Sequence, residues 1–344
     1  MTQQGFSATV SGPRRWRAFT LVEVMASVAV LSLILVILMA VTVQLSNLWQ
    51  RTSGQIEQFR GARMAFESLT RRLSQATLNT YWDYDNPTTP TRYVRQSELR
   101  FLMGSTAALT GGAASRPTHA VFFQAPLGLV DDTRADAAAA DGLANLLNTC
   151  GYFIEFGDNE AERPRIFGLT IGAPRYRYRL YEFIQPANAL TLYNFTGTTR
   201  DYTGRDWFDL DAADRPAHIL ADNVIALVLR PRLSAQDADG APQFTDYGYD
   251  STATNSDAAL NPKNQLPPIV SVTLVAIDET TARRLENGGA APDFGLDALF
   301  VNAGQQEEDL RALEDNLIAS HANYRIFTAN IAIHGAKWSR EQGD

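Results

Sequence analysis

The side chain whose type and position first suggest a task is Glu23. It stands at the edge of an uncharged run, VMASVAVLSLILVILMAVTV, at residues 24–43. An ionisable group costs on the order of 2.5–3.5 kcal/mol at the centre of a membrane span and less near its end, so a carboxylate kept there usually has a function. A plain headgroup-level carboxylate is the alternative. The histidines offer less. His119, His218, His321 and His334 are scattered, with no HExxH pair and no Cys/His spacing, which argues against zinc. No G-x-S-x-G nucleophile elbow occurs. Asp237, Asp239, Gly240 and Asp246 are spaced like part of a calcium loop, but Ala235 stands where its first carboxylate belongs. Cys150 is the sole cysteine, so no disulfide can form within the chain and a buried, inert thiol is expected. The reading is of a non-catalytic protein without cofactor or metal.

Charge narrows the partners further. The 344 residues carry a net charge of -8, with acidic and basic side chains well mixed. No basic stripe is present to neutralise a phosphate backbone, so nucleic acid is not an expected partner. One elaborated β-rich domain plus a membrane helix accounts for the length.

The elements that must position Glu23 come next. An uncharged run of about 20 residues matches a hydrocarbon core of about 30 Å. Arg14, Arg15 and Arg17 precede it, and a short arginine-bearing flank tends to stay cytoplasmic, leaving the remainder outside. The run is longer than a signal-peptide core, and no small-x-small cleavage site follows it. Beyond it, Leu45, Leu48, Thr52, Ile56, Phe59, Ala62, Phe66, Leu69, Leu73 and Ala76 draw a mostly apolar stripe at helical spacing. An unbroken helix from Phe19 to Thr80 would be about 90 Å long. Gly54 and Gly61 make a bend or a melted turn plausible, and Glu67 and Arg71 are spaced as a favourable i,i+4 pair.

Pro87 and Pro90 with neighbouring Asp and Asn residues end this helix and open a linker at 83–97. Strands are predicted at 98–103, 120–124, 152–156, 176–184, 224–229, 269–277 and 324–333, from β-branched and aromatic content. Mostly antiparallel sheets follow. The alternation at 176–183 predicts one covered face and one wet face. Helices are predicted at 133–147, 279–287 and 307–320, and the polar stretch 234–266 reads as a long surface loop.

Arg14 to Glu23, followed by the apolar run, resembles the cleavage and methylation signature of type IV prepilins and type II secretion pseudopilins. The resemblance implies cleavage between Ala18 and Phe19 by a prepilin peptidase, methylation of the new amino group of Phe19, and an assembly role for Glu23 as fifth mature residue. The family usually has glycine where this chain has Ala18. Residues 222–233 and 266–278 are similar to the paired late strands of J-class minor pseudopilins. With Tyr324, Arg325, Phe327 and the closing residues 336–339, the pattern resembles most the Verru_Chthon cassette protein C family.

What this implies is an α+β protein, with a long amino-terminal membrane-spanning helix and a mostly antiparallel, β-rich pilin-like domain. Its segments would be a leader at 1–18, a transmembrane and filament-core helix at 19–44, an amphipathic continuation at 45–82, the linker, and a periplasmic domain at 98–344. The protein would sit in the inner membrane as a single-pass subunit with a cytoplasmic amino terminus. Its partners would be the peptidase and other pilin-like subunits. The alternative is an uncleaved, membrane-anchored periplasmic binding protein or enzyme.

Overall fold

The computed structural model describes residues 21–339 except 87, 111–114, 135, 137, 139–142, 144, 161–162, 167–168, 193–205, 211–214 and 239–242. The chain divides into two compact units, Met1–Ile56 and Glu57–Asp344.

The described residues of the first unit are helical. Helix α1, Leu21–Gln58, contains no proline and no glycine before Gly54. Its hydroxyls do not interrupt its apolar surface. Ser27 Oγ donates to the Glu23 carbonyl at 2.7 Å and Ser32 Oγ to the Val28 carbonyl at 2.7 Å, so both are satisfied within the helix. Over Leu21–Met39 none of the described residues buries the side chains.

The second unit begins with α2, Arg60–Leu73, which buries Ala62, Ala65, Leu69 and Leu73. From Phe59 to Ala76 the predicted stripe faces the core, and its members Leu45, Leu48, Thr52 and Ile56 lie outside the described side chains; the helix breaks at Phe59 and stops at Leu73, short of Thr80. The main chain explains the stop: the Ser74 amide closes the last turn on Thr70, and the Thr77 amide is taken by the Gln124 carbonyl of a strand. On the solvent face Glu67 pairs with Arg63 at 2.9 Å rather than through the expected pairing with Arg71.

The segment read as a linker holds a hairpin instead. Strands β1, Tyr81–Tyr84, and β2, Tyr93–Gln96, pair in register with Tyr84 stacked on Tyr93. The turn chemistry that ended the helix also closes this hairpin, because Asp85 accepts from the amides of Thr91 and Arg92.

The remaining strands are β3 Leu102–Ser105, β4 His119–Pro126, β5 Leu147–Gly157, β6 Arg165–Ile166, β7 Leu169–Thr170, β8 Arg177–Gln185, β9 Ala217–Asp222, β10 Val224–Arg232, β11 Tyr249–Asp250, β12 Ile269–Ile277 and β13 Tyr324–Ala332. Among the described residues, the α-helices after α2 are α3 Thr106–Thr110, α4 Ala235–Ala238, α5 Glu279–Leu285 and α6 Gln306–Ala319. An antiparallel six-stranded sheet has the order β11-β3-β4-β5-β8-β9, and an antiparallel three-stranded sheet the order β10-β12-β13. The α+β class with antiparallel sheets is therefore as expected. The helix predicted at 133–147 is corrected: seven of its fifteen residues lie outside those described, of the other eight only Ala138 is helical, and Leu147 opens β5.

Both faces of the large sheet are buried, which corrects the expectation of one wet face. Phe123, Tyr152, Ile154 and Leu180 join α2 and the three-stranded sheet in one core, while Phe122, Phe153 and Phe183 join Trp207 and Phe208 in a second. The arginines that suggested water are buried with partners. Arg177 reaches Glu286 at 2.7 Å and Glu279 at 3.3 Å; Arg179 reaches Asp222 at 2.8 Å and three carbonyls. Gly151 is needed between these layers, since a Cβ there would lie 2.3 Å from the Phe122 ring.

The stretch 234–266 is also corrected: it is not a surface loop throughout. Phe244, Tyr247, Tyr249, Leu260 and Leu266 are buried, and β11 within it pairs with β3. Its polar residues serve the interior. Ser251 Oγ accepts the Phe101 amide, and the Gln265 side chain bonds the main chain of Ser339.

Candidate functional site

Of the residues expected to carry processing and assembly, Ala18 and Phe19 lie outside the described residues, as do Arg14, Arg15 and Arg17. Glu23 lies in the first turn of α1 and is exposed, like the apolar side chains that follow it. Leu21–Met39, 19 residues at 1.5 Å each, reach about 28 Å, enough for a hydrocarbon core. Leu, Ile and Val are presented on all sides, at 46–78% exposure over this stretch and Val41. A helix apolar all round needs lipid or neighbouring helices to cover it.

The second unit's polar clusters were open as alternatives, and each is tied into the fold. His119 is buried with both ring nitrogens engaged: Nε2 donates to the Phe300 carbonyl at 3.1 Å, and Nδ1 accepts the Leu229 amide at 3.0 Å. Burial pushes its pKa down to about 4, so it stays neutral. It borders a cleft of about 390 Å³ with Asp246, Tyr247 and Asp297, but has no nitrogen left for proton transfer.

His218 sits elsewhere, 3.0 Å from Glu182. That carboxylate also accepts the Tyr152 hydroxyl at 2.6 Å and pairs with Arg72 of α2. Burial alone would raise the Glu182 pKa; the bonds from His218 and Tyr152 and the Arg72 charge outweigh it and hold the carboxyl below its usual range. The cluster fastens α2 to β5 and β8. It was missed in the sequence because its four members come from four separate elements.

Among the described residues no group of three His, Cys, Asp or Glu side chains is placed to hold a metal. Ser234 Oγ accepts the Asp237 amide and donates to the Asp237 carboxylate at 2.6 Å, while Asp239 and Gly240 lie outside the described residues. Cys150 is buried, and burial pushes its thiol up to about 12. His321 and His334 join no such cluster.

The exposed apolar helix with Glu23 in its first turn thus remains the feature the fold leaves unabsorbed. Residues 15–39 match the prokaryotic N-terminal methylation motif. The match spans Ala18, Phe19 and Glu23 together with the apolar stretch of α1. No curated protein and no solved structure matches the chain. The motif gives a prepilin-like amino terminus, and the single apolar helix fits a membrane anchor.

Proposed function

We propose that this chain is a non-catalytic minor pilin or pseudopilin. In this reading a prepilin peptidase cuts between Ala18 and Phe19 and methylates Phe19, and the subunit joins a filament of the type II secretion or type IV pilus kind. The observation that carries it is the methylation motif at residues 15–39, read with a helix whose apolar side chains the chain itself leaves uncovered.

Before assembly the subunit sits in the inner membrane, amino terminus cytoplasmic and the second unit periplasmic. Residues 1–18 are the leader and α1 supplies the span and filament core. In a filament, neighbouring helices of the same kind take the place of lipid around α1. Cleavage creates an ammonium at Phe19, about 6 Å along the axis from Glu23, and staggered neighbours can bring the two charges together.

The test is mass spectrometry of the protein purified from its native host. A mature chain beginning with N-methyl-Phe19 is expected. An intact amino terminus at full occupancy would instead favour the uncleaved, membrane-anchored binding protein or enzyme.

A further inference from the structure

The three-stranded sheet has two outer strands, and the fold treats them differently. The outer edge of β10 is sealed by side chains: Thr118 Oγ1 accepts the Leu227 amide at 3.1 Å and His119 Nδ1 the Leu229 amide at 3.0 Å. Strand β13 has no such cover. Its nine residues pair with β12 without a register shift, and among the described residues no hydrogen bond from outside the sheet reaches its main chain. Arg325, Thr328, Asn330 and Ala332 are exposed along it. It has no proline, no glycine and no bulge, and its one charge is Arg325, so it lacks the devices that usually blunt an edge. Outward amides and carbonyls recurring at every second residue are met in full only by another extended strand.

The sequence YRIFTANIA specifies which strand fits. Laid antiparallel on a copy of itself about Thr328, it sets Phe327 opposite Ala329, Tyr324 opposite Ala332 and Thr328 opposite Thr328. Phe327 and Tyr324 meet alanines and threonine meets threonine, a favourable cross-strand pair, while Ile326 meets Asn330 and Arg325 meets Ile331. The two Arg325 side chains end up six residues apart, about 20 Å, well beyond the Debye length of about 8 Å. Both faces keep their alternation, because the pairing preserves parity. The joined sheet then runs β10-β12-β13-β13-β12-β10, and both new outer strands are the sealed β10. Such an isologous contact closes at two copies and cannot propagate.

We propose that β13 is a homodimer interface, pairing antiparallel with β13 of a second copy about Thr328. The contact involves only the second unit, so it is independent of amino-terminal processing and of the filament reading.

The test uses the full chain in host membranes carrying Thr328→Cys, oxidised with diamide. Antiparallel partners lie about 4.5–5.5 Å apart at Cα, within disulfide reach. The native Cys150 is buried and gives no background. A disulfide-linked homodimer is expected for Thr328→Cys and none for Asn330→Cys, whose counterpart would lie four residues away, about 13 Å. Equal cross-linking of the two variants, linkage to a different protein, or no linkage at all overturns the proposal. As a second measurement, Thr328→Lys sets two lysines opposite each other and is expected to abolish co-capture of two differently tagged copies. Unchanged co-capture overturns it as well. Repeating the cross-link with Glu23→Ala separates this contact from assembly: the dimer is expected to persist, and its loss would show that the head alone does not pair.

Discussion

Replacing Glu182 with glutamine removes a charge from the cluster that fastens α2 to the large sheet, while keeping its volume and an oxygen for Tyr152. The side chain of Glu182 is 3% exposed and that of its partner Arg72 is 23% exposed. Removing one member of a buried pair typically costs about 3–5 kcal/mol, because the remaining charge is stranded. Water reaching Arg72 softens this, so the lower end, about 3 kcal/mol, is expected. For a domain of this size that is a fall in Tm of roughly 6–10 °C. Thermal melts of the detergent-solubilised chain, followed by circular dichroism at pH 7, give the comparison. Adding Arg72→Met to Glu182→Gln is expected to recover part of the loss, since no charge then stays unpaired. The pH dependence has a definite sign. The folded Glu182 carboxyl is held below its unfolded value, so its stabilisation is complete above about pH 4.5 and is lost as pH falls through the folded value. The glutamine variant lacks that part of the acid limb. If Glu182→Gln melts with the wild type at pH 7, the cluster does not hold α2 in the way argued.

Gly151→Ala is expected to destabilise the second unit by about 1–3 kcal/mol in a denaturant melt. The new methyl group meets the Phe122 ring, which is itself packed against Phe183, Trp207 and Phe208; a melt unchanged from wild type would refute this. Glu279 is opposed by burial but held down to about 2 by hydrogen bonds from Asn223, Arg283 and Arg177 and by the charge of Arg177. Its stabilisation should be complete above about pH 4.5 and disappear as pH falls toward 2, and Glu279→Gln should flatten that part of the stability profile. Glu23→Ala is expected to insert and be cleaved normally but to enter filaments poorly; cross-linking to other pilin-like subunits at wild-type efficiency would remove the assembly role assigned to Glu23.

The strands with clear β-branched and aromatic runs were legible because the local pattern and the tertiary outcome agree. Residues 269–277 match β12 residue for residue, and 324–333 exceeds β13 by one. The surface-loop reading of 234–266 failed for a reason periodicity cannot register. Its aromatic residues Phe244, Tyr247 and Tyr249 are too widely spaced to form a run, yet all are buried by distant partners: Tyr249 packs on Phe101 and Tyr247 on His119, more than a hundred residues earlier, and Phe244 packs on Trp338 near the end of the domain. Arg177 and Arg179 misled in the opposite direction. Alternating charge normally marks a wet face, and here Glu279, Glu286 and Asp222 arrive from later in the chain to meet it.

The site itself divides along the same line. The amino-terminal motif is legible because its information is local: a cleavage context, a carboxylate and an apolar run are contiguous, and membrane insertion acts on contiguous chain. The difference between β10 and β13 is only partly local. Both are nine-residue strands, and of the two β10 alone holds a proline, Pro231, which blunts an edge. The arrival of Thr118 and His119, just before and at the start of β4, covers two more of its amides, and among the described residues nothing similar reaches β13. A buried histidine that would ordinarily be screened as a catalytic base is, by this account, an edge cap. Its neutrality is what suits it to the task, since Nδ1 must accept the Leu229 amide and an imidazolium has no lone pair to offer.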